Sequence, residues 1–356
     1  MPKRKIVFIV EHCELKGMYP FERAAILAKL LSEESVYIFL KTTSKEAINY
    51  FVEAGLSPVL FERFSQLPKH LRELEPNLVL HEGKDTSVDL IEEIRPFCTT
   101  LIHFDDFGDG AQLVDCNIRS LYEEVREHPA INELAGSYAF AVSDKLKVVI
   151  EQLNEMRENE ARARNENRMH EFDNESLPHI VVAFEDGDPN NLTYRTLRHL
   201  TQLHIPLQIT VAIDAEYMHS VEDLQMMVLS RRSTKVVRRP DALLHLMPDA
   251  DLIVCNANFT PYKVAAAGIA CITAAQNERE LSYAFTREGN GFIHLGLGRK
   301  MKQSHIQNAV MELLLHDQRR ERAVRKQLDL EIAHNNEILQ ALLLDFAYAR
   351  HNIAHI

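Results

Sequence analysis

Short apolar runs alternate with helix-patterned segments along almost the whole chain, and this alternation limits the possible folds more than any other feature. Strand-like runs fall at Lys5–Val10, Val36–Leu40, Pro58–Phe61, Asn77–His81 and Thr100–Phe104. Between them lie segments with helical apolar spacing at Pro20–Glu33, Lys45–Ala54, Leu67–Leu74 and Val88–Ile94, the last stopping before Pro96. Pro20 suits the first turn of its helix. A β–α alternation of this kind predicts a parallel sheet with helices on both faces. Ligands of such sheets bind beyond the carboxyl ends of the strands. That places Glu11 to Gly17, His81 to Asp85 and His103 to Asp106 along one rim.

The pattern restarts after a polar stretch. The apolar run His179–Ala183 leads into the loop Phe184-Glu185-Asp186-Gly187-Asp188-Pro189-Asn190-Asn191, and Leu192 to Leu203 then reads as a helix. Asp188 or Asn190 is placed to cap that helix, with Pro189 in its first turn. A strand, a Gly-containing loop and a helix start form an anion-binding corner. Further strands are expected near Leu207–Ile213, Thr234–Val237, Leu252–Cys255, Ala270–Thr273 and Gly291–His294. From Ser304 onward the chain reads as helical, and Ile332 to Ala349 carries an apolar stripe of its own that must pack on something. The expected organisation is an N-terminal Rossmann-like domain over 1–165, a linker over 166–177, a C-terminal Rossmann-like domain over 178–330, and a last helix over 331–356 that packs back on the first domain. Two such α/β domains facing across a cleft constitute the B-type glycosyltransferase (GT-B) arrangement.

The length of 356 residues accommodates two domains. A net charge of −12 argues against nucleic acid as the main partner, because phosphate backbones require a basic surface. No apolar run reaches the length of a membrane span, and the run after the basic start Met1-Pro2-Lys3-Arg4-Lys5 is too short for a signal peptide. The cysteines are scattered, odd in number and without a C-x-x-C pair. That pattern fits free thiols in a reducing cytoplasm and speaks against a structural zinc site. Neither a cofactor nor a metal is expected: His81, Glu82, Asp85, His103, Asp105 and Asp106 include suitable ligand types, but their spacing follows no compact metal motif. His351 and His355, spaced i, i+4, read as a frayed terminus. Arg231, Arg232, Lys235, Arg238 and Arg239 are the one dense basic cluster and read as a solvated edge.

The chain resembles the spore-coat polysaccharide biosynthesis proteins of the SpsG type and the UDP-sugar hydrolases of pseudaminic acid synthesis, which are in turn similar to the N-acetylglucosaminyl transferase that makes lipid II. The resemblance runs in order through nearly the whole chain. The family loop G-x-G-H-x-x-R appears as Gly17-Met18-Tyr19-Pro20-Phe21-Glu22-Arg23, with Pro20 at the family's general-base histidine. Asp105-Asp106 matches its I-D-D-L element. Its loop F-G-G-S-D-P-N-N is Phe184 to Asn191, where the last four residues match and two glycines have become acids. Its nucleotide loop A-G-G-S-T-x-x-E-x-A-A-x-G aligns with Ala257 to Gly268 and places Lys263 at the ribose-binding glutamate. Its A-E-N-Q element is Ala275-Gln276-Asn277-Glu278.

The resemblance implies action on a UDP-type nucleotide sugar, by hydrolysis at the anomeric carbon or by glycosyl transfer. It places Gly17, Arg23, Asp105 and Asp106 on the sugar side. Gly187, Asp188, Asn258, Phe259, Thr260, Lys263 and Asn277 would then face the nucleotide. With the family histidine replaced, Glu11 and His12, just after the first strand, are the candidate proton acceptors. The substitutions also have direct physical meaning. Diphosphate loops use Gly so that backbone N–H groups come close, and Asn258-Phe259 fill that space. Glu185 and Asp186 repel a diphosphate unless a metal or a lysine intervenes. Lys263 cannot accept hydrogen bonds from ribose hydroxyls, although it can meet a phosphate. Two function classes therefore stand open: a nucleotide-sugar protein of surface-glycan synthesis, and a catalytically silent scaffold of the same fold with protein partners in a glycan or spore-coat pathway.

Overall fold

The computed structural model describes residues 2–42, 44–121, 133–165, 177–229, 231 and 233–349. Arg232, His351, His355 and nearly all of the expected linker lie outside the described residues. The chain divides into two compact units. One comprises Met1–Ser143 with His334–Ile356, and the other Asp144–Ala333.

In the first unit β1 (Lys5–Glu11), α1 (Tyr19–Leu30), β2 (Ser35–Lys41), α2 (Lys45–Glu53), β3 (Val59–Leu60), α3 (Leu67–Leu74), β4 (Leu78–Glu82), α4 (Val88–Ile94), β5 (Thr100–Phe104), β6 (Cys116–Arg119) and β7 (Glu133–Ala135) follow in order. The sheet runs β3-β2-β1-β4-β5-β6-β7, and every pairing is parallel. Strands covered on both faces are continuously apolar, as in Ile6 to Val10, all fully buried. Alternate residues feed two cores. Phe8, Val10, Leu80 and Ile102 pack with Phe21, Ala24 and Leu27 of α1 on one face. Val7, Ile9, Val79 and Leu101 pack with Leu67 and Leu71 of α3 and Ile91 of α4 on the other.

The C-terminal helix Asn335–Tyr348 belongs to this unit and buries Leu339, Leu343 and Ala347 in the α1 core. Polar anchors fix its start. The Asn336 amide exchanges two 2.8 Å hydrogen bonds with the Val142 backbone, and Asn335 donates to the Ser137 and Phe140 carbonyls.

The second unit contains α5 (Asp144–Asn165), β8 (His179–Ala183), α6 (Leu192–Leu200), β9 (Gln208–Ile213), α7 (Val221–Val228), β10 (Thr234–Arg238), α8 (Ala242–Leu246), β11 (Leu252–Cys255), α9 (Thr260–Ala267), β12 (Ala270–Ala275), α10 (Glu278–Ser282), β13 (Phe292–Leu297), α11 (Gln303–Leu315) and α12 (Asp317–Leu328). Its sheet, β10-β9-β8-β11-β12-β13, is again all parallel. Helix α5, assigned to the N-terminal domain from the sequence, belongs to this unit. Arg157 holds it there by donating to the Ala267 and Gly268 carbonyls at the end of α9. The basic cluster separates in space. Arg231 donates to four carbonyls around the end of α6, from Leu200 to Ile205, and Arg239 meets His245.

Both sheets place their strands in the 3-2-1-4-5-6 order of the Rossmann fold. Each therefore has a topological switch point, between β1 and β4 in one and between β8 and β11 in the other, where the chain leaves neighbouring strands in opposite directions.

Candidate functional site

At the second switch point the loop after β8 keeps the backbone of a glycine-rich turn while carrying acids. Asp186, Gly187, Asp188 and Asn191 all have positive φ, at 60°, 76°, 50° and 50°. Gly187 is at home there. The three others sit in the left-handed region that L side chains tolerate only at a cost. The Asp188 carboxylate accepts from the N–H groups of Leu192 and Thr193, both at 2.8 Å, and so caps α6. The helix begins at Leu192, so Pro189 lies in the loop and not in the first turn, because the left-handed step at Asn191 intervenes. Asn190 reaches across to the Gln276 carbonyl, and the Gln276 amide donates to Asp188.

The expected nucleotide-facing residues share this edge, and carboxylates of the chain itself hold most of its polar groups. Glu185 accepts from the Thr260 hydroxyl at 2.8 Å and from the Lys263 ammonium at 3.1 Å, at the start of α9. Glu280 accepts from the N–H groups of Ala257 and Gln276 at 3.2 and 2.9 Å, and Asn277 caps α10 through the Glu280 N–H. Asn258 donates to Asp186 at 3.3 Å across the switch point. Phe259 is buried at the N-cap position of α9. Asn256, 1% exposed at the end of β11, has no hydrogen-bond partner for either amide atom among the described residues.

Crowding perturbs these acids. Burial and then the neighbouring Glu185 charge push Asp186 up to about 8. Burial and then Glu185 push Asp214 up to about 6, and burial pushes Glu280 up to about 7. Strained backbone and shifted carboxyls at one sheet edge are marks of a functional site.

The first switch point carries a different arrangement on each face of its sheet. On the α1 face, Arg23 is fully buried. It makes a bidentate ion pair with Glu82 and donates to Asp105 at 2.8 Å, with its guanidinium 4.4 Å over the Phe104 ring. Ser120 and the Leu121 N–H complete Asp105, each at 2.7 Å. The Lys16 ammonium, also fully buried, donates to the Gly83 and Phe104 carbonyls. Two cations and two anions therefore neutralise one another. Burial raises Glu82 to about 7, and the paired Arg23 guanidinium opposes that rise and favours the ionised form. Burial opposes ionisation of Asp105 too, but Arg23 and Lys16 outweigh it and hold that carboxyl below its usual range. Gly17, at φ 57°, turns the loop between β1 and α1.

On the other face, Asp106 accepts from His103 Nδ1 and from Thr86 Oγ1, both at 2.6 Å. His81 lies beside His103, with ring centroids 4.8 Å apart and the planes tilted by 52°. The Nε2 atoms of both rings are buried without a hydrogen-bond partner among the described residues. Burial, and then the His103 charge, keep His81 well below the usual histidine range, so its ring is neutral at pH 7. The Glu11 carboxylate is buried beside Lys41 at 3.4 Å and His81 at 3.8 Å. His12, by contrast, is exposed and stacked on Phe21.

Gly17, Arg23, Asp105 and Asp106 therefore share one rim, yet Arg23 and Asp105 bind each other while Asp106 faces the opposite side of the sheet. Sequence reasoning missed Lys16, Asp214, Glu280 and Asn256: Asp214 and Asn256 directly follow β9 and β11, Lys16 lies in the loop between β1 and α1, and Glu280 lies in α10. Among the described residues no three His, Cys, Asp or Glu side chains are grouped to hold a metal, and no helix is long and apolar enough to cross a membrane. A cavity of about 780 Å³ opens at the other edge of the second sheet, lined by His179, Gln208, Arg157 and Ala270. It lies at the amino ends of the strands, away from the switch point of this sheet.

No family model matches the chain. An uncharacterized protein of Methanocaldococcus jannaschii is 23% identical over 289 residues, which is 77% of this chain and 56% of that protein, so the chain spans about half the length of this curated relative. MurG of Acinetobacter baumannii is similar in structure, with a TM-score of 0.66 at 14% identity, covering 96% of this chain and 99% of that one. The UDP-GlcNAc 2-epimerase of Neisseria meningitidis, bound to UDP-GlcNAc, gives a TM-score of 0.59 at 8% identity, covering 96% and 100%. A glycosyltransferase from Rickettsia africae gives 0.61 at 8%, covering 98% and 100%. The fold is that of the B-type glycosyltransferases and the UDP-GlcNAc 2-epimerases.

Proposed function

We propose that this protein binds a UDP-type nucleotide sugar at the carboxyl edge of its second sheet and serves in surface-glycan synthesis of the spore-coat polysaccharide type, by hydrolysis at the anomeric carbon or by glycosyl transfer. The observation that carries the reading is the grouping at the second switch point. The Thr260 hydroxyl and the Lys263 ammonium converge on one Glu185 oxygen at the first turn of α9, and the buried Asn256 amide at the end of β11 has no hydrogen-bond partner among the described residues. A hydroxyl, an ammonium and a helix start are donors suited to phosphate oxygens. The Neisseria epimerase of the same fold, bound to UDP-GlcNAc, adds support. Gly187, Asp188, Asn258, Phe259 and Asn277 shape the edge in this reading, and Glu11 or His12 is the proton acceptor. Gly17 and Asp106 shape the sugar side, with Arg23 and Asp105 as its buried support.

A second reading, a catalytically silent partner protein, draws on one observation. Lys16, Arg23, Glu82 and Asp105 neutralise one another inside the first unit, leaving that charge set no evident demand for a ligand.

Thermal unfolding with millimolar UDP, UDP-N-acetylglucosamine and other nucleotides separates the two. Ligand at a hundred times its dissociation constant adds about 2.7 kcal/mol and raises the midpoint by several degrees. A shift specific to UDP compounds supports the first reading, and UDP release by wild type, Glu11→Gln and His12→Gln then tests catalysis. No shift with any nucleotide overturns it in favour of the partner reading.

A further inference from the structure

Resting on that reading, we infer that Glu185 is the specificity-determining residue of the second switch point: a resident anion that occupies the place of a ligand phosphate and must swing away before a nucleotide binds. The argument begins with the donors. A phosphate at the start of α9 would take the Thr260 hydroxyl and the Lys263 ammonium. In the structure one oxygen of Glu185 takes both, at 2.8 and 3.1 Å. The two charges match the substitutions seen in the sequence. An acid has entered the loop after β8, and a lysine stands on α9 within its reach.

The neighbouring acids are not equivalent to Glu185. Glu280 is 4% exposed and held by two backbone N–H groups, which cannot move without moving the strand ends. Asp188 caps α6 through two more. Asp214 accepts from the backbone at Glu216, and from that of Asp186 and Gly187. Among the described residues the hydrogen-bond partners of Glu185 are both side chains, and its own side chain is 26% exposed. Asp186 is held by the Asn258 amide and takes neither donor. Glu185 is therefore the carboxylate on these donors that can leave by rotating toward solvent, and its departure removes the one oxygen that Thr260 and Lys263 share. While it stays, a diphosphate meets a negative charge at the position of its own strongest contacts.

The test is titration calorimetry of UDP, UMP and uridine into the full chain, as wild type, Glu185→Gln, Glu185→Gly and the double variant Glu185→Gln/Lys263→Gln. Glu185→Gln keeps the size of the side chain, and thermal unfolding reports whether each variant is folded. The expected result is at least a tenfold gain in UDP affinity for Glu185→Gln over wild type. The gain shrinks for UMP, is absent for uridine and is lost in the double variant. Equal UDP affinity in wild type and Glu185→Gln overturns the inference but leaves nucleotide binding intact. Binding by the single variants and none by wild type upholds the resident anion and overturns nucleotide binding by the native protein. No binding by any folded variant overturns both, and an equal gain for uridine overturns the resident anion alone.

Discussion

Asp186 is a residue that the native state holds at a cost, and replacing it should reveal how large that cost is. Its backbone is left-handed at φ 60°. Its carboxyl is pushed up to about 8 by burial and then by Glu185, with Asp214 and Glu280 adding to the effect and Lys263 opposing it. An unfolded aspartate titrates near 3.9. The native state therefore keeps a proton that the unfolded chain has lost between about pH 4 and pH 8. In that window the folded state binds more protons, so stability falls as pH rises. Below about pH 4 both states are protonated and the penalty vanishes; above about pH 8 it is complete. The full linkage limit is about 1.4 kcal/mol for each pH unit of the window. The partly exposed position and the shared charge with Glu185 reduce this to on the order of 1–3 kcal/mol in total. Asp186→Asn removes the ionisation, keeps the shape and tolerates the left-handed backbone. The variant should match wild type near pH 4.5 and exceed it at pH 8, by several degrees in midpoint for a unit of this size. Urea unfolding at both pH values measures the difference. A gain independent of pH would place its origin in the backbone. A loss at pH 8 would mean that Lys263 stabilises the Asp186 charge by more than burial destabilises it, and the reasoning would be refuted.

Two further expectations concern the first unit. Arg23→Met leaves Glu82 and Asp105 buried with Lys16 as the one remaining cation of the group, and should cost about 3–5 kcal/mol in urea unfolding; a loss under 1 kcal/mol would mean that water or Lys16 replaces the guanidinium. Gly83→Ala sets a Cβ against the Glu11 side chain at φ 153° and should destabilise by about 2 kcal/mol or more, whereas Gly289→Ala, with open space around it, should stay within about 0.5 kcal/mol of wild type by the same measurement.

The elements that positioned these sites were legible because a doubly covered sheet leaves a plain record: runs such as Ile6 to Val10 are apolar throughout, and the helices between them carry one apolar face. Strand β6 left no such record. Cys116-Asn117-Ile118-Arg119 alternates over four residues, and its polar members are buried only because partners distant in sequence receive them. Asn117 exchanges hydrogen bonds with the Asp106 backbone, and Arg119 pairs with Glu133 at 3.0 Å. The same holds at the rim. Each charge of the Arg23 group lies beside a strand end, but the fact that Arg23 turns inward to Glu82, 59 residues away, is a matter of packing. The Glu185–Lys263 pair did leave a trace, an acid in place of a loop glycine and a base in place of an acid on the facing helix. Only the fold brings the two within 3.1 Å.

The two rims differ in what their internal charges permit. In the first unit the guanidinium, the ammonium and both carboxylates of the group are fully buried, and several of their contacts are to backbone carbonyls or to one another. Opening that set would expose four charges to rearrangement at once, so it acts as part of the fold. In the second unit the pair Glu185–Lys263 keeps one edge toward solvent, at 26% and 18% exposure. A pair of this kind gains little net stability from its attraction, because water competes for both partners. On the proposed reading, an incoming dianion that offers Lys263 and Thr260 more charge than one carboxylate does displaces Glu185, at the affinity cost that Glu185→Gln removes. A ligand without such charge cannot, and for that ligand the edge remains closed. On the proposed reading, charge recognition falls to the Glu185–Lys263 edge of the second rim, and the buried Arg23 group of the first rim gives structural support.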